Sequence, residues 1–142
     1  MSKPLRVVAA IFQSEGRVLA CRRNPEKAAG GQWEFPGGKI ETEETPEEAL
    51  LRELAEELNV EAAEIGRLVS RATTTTCEAT IDLACYWVKA ESAPTSSTDH
   101  DKLRWSAIEE LSDLDWAAPD LPAVRELQQL MVSSDTKKQE EY

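Results

Sequence analysis

Segment 38–60 constrains the fold more than any other part of the chain. A Thr-Pro-Glu-Glu sequence begins at Thr45, which puts a hydroxyl at an N-cap, proline at the first helical position and glutamate at the third. We therefore expect a helix that begins after Thr45 and ends near Leu58. Asn59 then stands where helices commonly end in a left-handed residue, a conformation that asparagine tolerates best after glycine.

Leucines recur at helical intervals along this segment, so one side of the helix is expected to pack into a hydrophobic core. The stripe is predicted to contain Leu51, Leu54 and Leu58, with Leu50 and Ala55 widening it. A packed helix holds the side chains of its other face in fixed directions.

Several glutamates share this helix. Glu53, Glu56 and Glu57 are three and four residues apart, so they are expected on one helical face. A Glu-rich helix surface is usually only solvated. Here, however, the acids share a helix with the leucine stripe and stand in register with Gly38 and Glu44. Clustered carboxylates suit Mg²⁺ or Mn²⁺ rather than zinc, so the pattern predicts a site for a divalent cation and a diphosphate.

The complete pattern is G-x5-E-x7-R-E-x-x-E-E, formed by Gly38, Glu44, Arg52, Glu53, Glu56 and Glu57. It resembles the signature of the Nudix hydrolases, and the run EFPGGKIE at residues 34–41 resembles the MutT type, which hydrolyses nucleoside triphosphates. The resemblance implies an α/β (α+β) fold, an α/β/α sandwich around a mixed β-sheet. One departure is Asn59, where the family usually has glycine.

The resemblance also implies roles for the helix residues. Glu53 would be the general base or would position it, while Glu56 and Glu57 would be metal ligands. Arg52 would orient these carboxylates through a forked ion pair. The cofactor, Mg²⁺ or Mn²⁺, would neutralise phosphate charge and make a water molecule a usable nucleophile.

Residues outside the helix complete the implied metal site. Gly37 and Gly38 would let the backbone approach the metal or a phosphate closely. Glu44 would hold the loop against the helix. Asp99 lies six residues before Trp105, where MutT-type sequences have a metal-binding glutamate. Because aspartate is shorter, the alternative is that Asp99 is a plain loop acid.

Other positions match nucleotide contacts of MutT-type proteins. Arg23 matches an arginine that contacts the nucleotide, or is a surface charge at a strand end. Lys39 either meets a phosphate or is solvated. Phe35 and Trp33 are expected to pack in the core, with stacking on the base as the alternative. His100, the only histidine, is expected to be an exposed loop residue rather than a base.

The position implied to recognise the base carries an aspartate. MutT-type enzymes have an asparagine here that contacts the purine, and the matching residue is Asp120 in the sequence Pro-Asp-Leu-Pro. An ionised aspartate only accepts hydrogen bonds, which suits the exocyclic amine of cytosine, whereas a protonated one could recognise an oxidised purine. Family members resembling CTP or 5-methyl-dCTP pyrophosphohydrolases carry aspartate here. The alternative is that Asp120 simply caps the last helix.

Composition limits the classes of molecule that the chain is expected to bind and the compartment in which it is expected. The chain of 142 residues has a formal net charge of −11, which speaks against a nucleic-acid polymer but not against a nucleotide bridged by a cation. The three cysteines have no disulfide spacing and indicate free thiols in a reducing cytoplasm. We expect neither a secretion signal nor a membrane span, because no apolar run approaches ~20 residues.

One Nudix domain is expected over residues 1–132, followed by a disordered tail over residues 133–142. Strands are predicted at residues 5–12, 18–22, 66–72, 77–88 and 102–105, and a second helix at residues 122–131. In that helix Ala123, Leu127 and Leu130 are expected to point inward. Alternation from Cys77 to Trp87 predicts a half-buried strand.

The expected function is that of a nucleoside triphosphate pyrophosphohydrolase, which releases a nucleoside monophosphate and diphosphate. Such an enzyme would serve nucleotide pool sanitation, and hence DNA repair. Its partner would be a small nucleotide, and the chain would be a monomer or a homodimer. The alternatives are hydrolysis of a nucleoside diphosphate derivative such as ADP-ribose, and a catalytically silent nucleotide-sensing module.

Overall fold

A computed structural model describes residues 3–27 and 30–140, with side chains of the last helix described as far as residue 131. In that part of the chain the elements are β1 Leu5–Ser14, β2 Arg17–Arg23, β3 Trp33–Glu34, β4 Gly37–Lys39, α1 Pro46–Leu58, β5 Ala63–Thr75, β6 Thr80–Ala90, β7 His100–Ala107 and α2 Leu121–Glu140. Two short 3₁₀ helices, Ile108–Asp113 and Ala118–Asp120, connect β7 to α2.

β1 lies at the centre of a mixed sheet with the order β3-β2-β1-β6-β5. It runs parallel to β6 and antiparallel to β4, and its end pairs antiparallel with β2. β7 joins the sheet antiparallel to β2, and β5 antiparallel to β6. A strand enclosed on both faces must be apolar throughout, which explains the uninterrupted run VAAIF at residues 8–12.

Alternate β1 side chains enter two separate hydrophobic cores. Val8, Ala10 and Phe12 belong to the cluster that contains the buried residues of α1. Ala9 and Ile11 belong to the cluster that contains the buried residues of α2. Because side chains of a strand alternate between faces, one helix covers each side of the sheet. The α/β/α sandwich with a mixed sheet is therefore confirmed.

α1 begins and ends as predicted. The Thr45 hydroxyl accepts the Glu48 N–H at 3.1 Å, and the Glu48 carboxylate accepts the Thr45 N–H at 2.9 Å. This capping box satisfies two backbone donors that the helix itself leaves free. At the other end Asn59 adopts φ 57° and ψ 30°, the left-handed conformation expected of it.

The predicted core stripe of α1 was partly wrong. Leu50, Leu54 and Leu58 are buried, but Leu51 is 41% exposed and Ala55 is exposed. The buried line is centred on residues 50, 54 and 58. Residues 51 and 55 each lie about 100° further around the helix and face water.

Two further burial predictions were wrong. Cys77 and Ala79 are exposed because they lie in the connection between β5 and β6, and do not belong to the strand. Leu130 is also exposed, whereas Ala123 and Leu127 are buried as predicted.

α2 continues to Glu140, beyond the predicted end at residue 131. The first two residues of the expected domain and the last two of the expected tail lie outside the described residues, and the disordered tail stays a prediction.

Cys21, Cys77 and Cys85 are free thiols, as expected. Within the described ranges no helix has both the length and the apolar character needed to cross a membrane.

Candidate active site

β4 places the glycine pair between β1 and α1. Gly37 pairs with Ala9, and Gly38 with Val8. A Cβ on Gly37 would lie 1.9 Å from the Val8 carbonyl oxygen, so a larger residue would block the pairing of the two strands. A Cβ on Gly38 would lie 2.3 Å from the carboxylate carbon of Glu53. One glycine therefore permits strand pairing and the other makes room for a helix carboxylate.

Arg52 ties the loop before α1 to the acids on the helix. Its Nε and Nη2 donate to the two carboxylate oxygens of Glu44 at 2.8 and 2.9 Å. Its Nη1 donates to Glu53 at 2.9 Å and to Glu56 at 3.4 Å, and Nη2 also donates to the Lys39 carbonyl at 3.0 Å. The guanidinium lowers the pKa of Glu44 to about 2. The fork thus holds loop, β4 and helix together.

The three helix acids have different environments, although they were expected on one face. The Glu56 side chain is 60% exposed, that of Glu53 only 15%. Glu57 is buried, and its Oε2 has no hydrogen-bond partner among the described residues. Of the three acids, only Glu53 and Glu57, which are one helical turn apart, have mostly buried side chains.

Burial and crowding control the ionisation of these acids. Desolvation, a hydrogen bond with Asp99 and nearby negative charges raise the pKa of Glu57 to about 9. Burial also raises the pKa of Glu53, against the opposing effect of Arg52. The hydrogen bond with Glu57, and one from Lys27 at 2.7 Å, lower the pKa of Asp99. These shifts favour the protonated form of Glu57 and the ionised form of Asp99.

A cavity of about 780 Å³ lies beside these acids, a size typical of small-molecule sites. The predicted site residues that line it are Arg23, Phe35, Gly37, Gly38, Lys39, Glu57, Asp99 and Asp120. Arg52, Glu53 and Glu56 do not line it. The fold thus brings together predicted site residues that are up to 97 positions apart in the chain, from Arg23 to Asp120.

Asp120 and Phe35 also line the cavity. Asp120 is buried, and its Oδ2 accepts the Phe35 N–H at 3.0 Å. Burial, and then the charge of Glu34, raise the pKa of Asp120 well above its usual range. The Phe35 ring packs against Trp116 with centroids 4.8 Å apart, so it is part of the core as expected. Asp120 directly precedes α2, but this hydrogen bond ties it to residue 35.

His100 corrects the prediction of an exposed loop residue. It is the first residue of β7 and is buried. Its Nε2 lies 2.8 Å from Glu34 Oε2, and its Nδ1 lies 2.6 Å from the Ser97 hydroxyl. Arg23 donates to the other oxygen of Glu34 at 2.9 Å. Sequence reasoning did not select Glu34 as a site residue; its place in the EFPGGKIE run was the available signal.

Among the residues that the structure describes, no three His, Cys, Asp or Glu side chains already form a group that could hold a metal ion. Arg52 contacts Glu53 and Glu56, and Lys27 contacts Asp99. Ion pairs therefore engage three of the four predicted acidic ligands.

Comparison with known proteins identifies the family. Residues 2–127 match the NUDIX domain. The chain is 34% identical over 120 residues to the CTP pyrophosphohydrolase of Escherichia coli, covering 84% of this chain and 88% of that protein. It is 35% identical over 120 residues to the putative 8-oxo-dGTP diphosphatase 2 of Mycobacterium tuberculosis, covering 84% of each.

A solved structure agrees with the sequence comparisons. The solution structure of the E. coli ORF135 protein superposes with a TM-score of 0.77 at 31% identity, covering 92% of this chain and 93% of that one. The two chains therefore share one fold, and in this chain that fold carries the helix acids, the Arg52 ion pairs and the paired glycines. The chain therefore belongs to the Nudix family and is a hydrolase.

Proposed function

We propose that this Nudix hydrolase is a divalent-metal-dependent nucleoside triphosphate pyrophosphohydrolase, which converts a (d)NTP and water into a (d)NMP and diphosphate. One observation carries the proposal. One cavity is lined both by the acids Glu57 and Asp99 and by Phe35 with the buried Asp120. The first suits a cation with phosphates, and the second suits a base. The two relatives named above, a CTP pyrophosphohydrolase and a putative 8-oxo-dGTP diphosphatase, support the same substrate class.

The donor atoms fit Mg²⁺ or Mn²⁺. Glu57 Oε2 is buried without a partner among the described residues, and such an atom costs free energy unless a cation or donor reaches it. Burial and then the neighbouring acids raise the pKa of Glu57, and a bound cation would oppose both effects. The groups that would hold it are Glu53, Glu56, Glu57, Asp99 and the backbone oxygens of Gly37 and Gly38. When bound, the cation supplies charge neutralisation and an acidified water.

The protein's own residues would position the reacting groups. Glu53 is the proposed proton acceptor, because burial raises its pKa and Arg52 fixes its orientation. Lys39 is exposed at the cavity wall, where its ammonium group is free to meet a phosphate. Arg23 is the proposed contact for the nucleotide, held in place by Glu34.

Asp120 is the proposed base-recognising residue. Because its pKa is raised well above the usual range, the protonated form is favoured, and this form donates as well as accepts. A donor and an acceptor side by side suit an oxidised purine, whereas the ionised form would suit the cytosine amine. We therefore place oxidised purine nucleotides first, with cytosine and 5-methylcytosine nucleotides as the competing substrates.

A substrate panel with product identification tests the proposal. We expect a (d)NMP and diphosphate from at least one of the ordinary, 8-oxo and 5-methyl (d)NTPs, with Mg²⁺ or Mn²⁺ present. Faster cleavage of ADP-ribose would assign the chain to nucleoside diphosphate derivatives. Tight nucleotide binding without turnover of any compound would instead indicate a sensing module.

A pair of variants tests the role of the acids in the same assay. Glu57→Gln should abolish turnover and the cation uptake seen by calorimetry with nucleotide present. Glu61→Gln, an exposed acid just beyond α1, should leave both unchanged. Turnover that survives Glu57→Gln would contradict the proposed metal site.

A further inference from the structure

A line of hydrogen bonds runs from the loop before β7 to the cavity wall, through His100. The backbone N–H of Asp99 donates to the Ser97 hydroxyl oxygen at 3.3 Å, and this hydroxyl lies 2.6 Å from His100 Nδ1. On the other side of the ring, His100 Nε2 lies 2.8 Å from Glu34 Oε2. The imidazole side chain is only 1% exposed, so the ring is shielded from water.

The two ends of this line determine the role of each ring nitrogen. A carboxylate only accepts hydrogen bonds, so the contact with Glu34 requires a proton on His100 Nε2. With the proton of the neutral ring on Nε2, Nδ1 is an acceptor, so the Ser97 hydroxyl, whose oxygen accepts the Asp99 N–H, donates its proton to Nδ1.

Glu34 is held at both of its oxygens. Arg23 Nη1 donates to Oε1 at 2.9 Å, and His100 Nε2 reaches Oε2. The carboxylate therefore cannot rotate without breaking one charge-assisted bond. It lines the same cavity as Glu57 and Asp120, and its negative charge contributes to the raised pKa of both.

We propose that His100 is a positioning residue, which fixes the Glu34 carboxylate in the cavity wall and links it to the Asp99 loop. This inference rests on the proposed function in one respect, that the cavity holds the nucleotide. His100 itself does not line the cavity. Its loss should therefore weaken substrate binding more than it slows the chemical step.

Three variants separate this role from a merely structural one. His100→Asn removes the donor at the Nε2 position and should raise KM on the order of tenfold, the cost of a lost bond to a charged group, with kcat within about twofold. His100→Gln can place an amide N–H near the Nε2 position and should restore most of the binding. Asp101→Asn is the matched control on the same strand, because it weakens an exposed pair with Arg22 away from the cavity.

A double-mutant cycle adds a test of the specific partner. If His100 acts through Glu34, then His100→Asn should raise KM little further in a Glu34→Gln background. Additive effects, equal KM values for His100→Asn and His100→Gln, or a loss confined to kcat would each overturn the proposal.

A spectroscopic readout makes the proposal independent of turnover. His100 is the only histidine in the sequence, so its ring ¹⁵N signals are identified without variants. We expect a proton on Nε2, with a shift that changes in Glu34→Gln but not in Asp101→Asn. An Nε2 without a proton would overturn the proposal, whereas the expected spectrum from a protein that turns over no nucleotide would disprove only the proposed function.

Discussion

The carboxylate of Glu53 lies directly against Gly38. A β-carbon at residue 38 would be 2.3 Å from the carboxylate carbon and 2.6 Å from each of its oxygens. The adjacent glycine faces backbone instead, since a β-carbon at Gly37 would be 1.9 Å from the Val8 carbonyl oxygen. Two neighbouring glycines thus serve different purposes, one at the reactive acid and one in the sheet.

We expect Gly38→Ala to fold but to lose activity. The end of a glutamate side chain can move aside, so the stability should change little, but the displaced carboxylate should lower kcat by at least about tenfold. Gly37→Ala is the contrasting variant, because the backbone of β1 cannot move aside, and it should destabilise the protein by roughly 3 kcal/mol or more. Thermal unfolding and steady-state kinetics measure both effects. A Gly38→Ala variant with the original kcat would contradict the prediction.

Arg52→Lys should lower activity although the charge is retained. A lysine ammonium cannot bind both oxygens of Glu44 and also reach Glu53 and the Lys39 carbonyl, as the guanidinium does. Without the bond from Arg52, Glu53 loses its fixed orientation, and kcat should fall by about tenfold or more.

The matched control is Arg71→Lys, which changes an equivalent fork to Asp82 on the exposed β5–β6 surface. This variant should keep the original kcat and KM. Equal kinetic effects in the two variants would show that the fork of Arg52 has no special role.

The metal-free protein should lose stability as the pH rises from about 5 to about 8. Folding raises the pKa of Glu57 from its ordinary 4.5 to about 9. Between these values the folded state keeps a proton that the unfolded state has released, so rising pH favours unfolding. We expect a loss of a few kcal/mol across this interval. Urea unfolding in EDTA at several pH values measures it.

Glu57→Gln should reduce this pH dependence, because the amide does not titrate, and the part that remains is expected from Asp120, whose pKa burial also raises. Glu61→Gln, at an exposed acid, should leave the dependence as it is. A stability that stays flat or rises between these pH values in the original protein would show that Glu57 is ionised without metal.

Asp120→Asn should change the preference among bases while the protein stays folded. The amide oxygen can still accept the Phe35 N–H, so the contact at 3.0 Å is retained. The amide cannot titrate, however, and its donor is permanent. We expect the ratio of kcat/KM between oxidised purine and cytosine nucleotides to shift by about tenfold or more. Asp113→Asn, in the exposed part of the first 3₁₀ helix, is the control, and an unchanged ratio in Asp120→Asn would exclude base recognition by this residue.

Local features could be predicted because their causes lie within a few residues of the chain. The capping box joins Thr45 to Glu48, and the left-handed Asn59 follows the last turn of the same helix. The spacing of the signature likewise places Arg52 within reach of Glu44 and Glu53. The predicted phase of the helix was wrong at Leu51, because Leu50 and Leu51 are both apolar and only packing against the sheet decides which one is buried.

The pairing of strands decided what the sequence left open. β2 pairs with β3 through Cys21 and Glu34 and with β7 through Arg23 and His100, which brings residues 34 and 100 together although 66 positions separate them. Asp120 similarly contacts the backbone of Phe35 although 85 positions separate them.

The sequence by itself determined the helix, its caps and the order of its acids, because these depend on neighbours along the chain. Tertiary structure alone decided that Glu57 and His100 are buried and what each contacts, because burial depends on which distant strands and loops pack around a side chain.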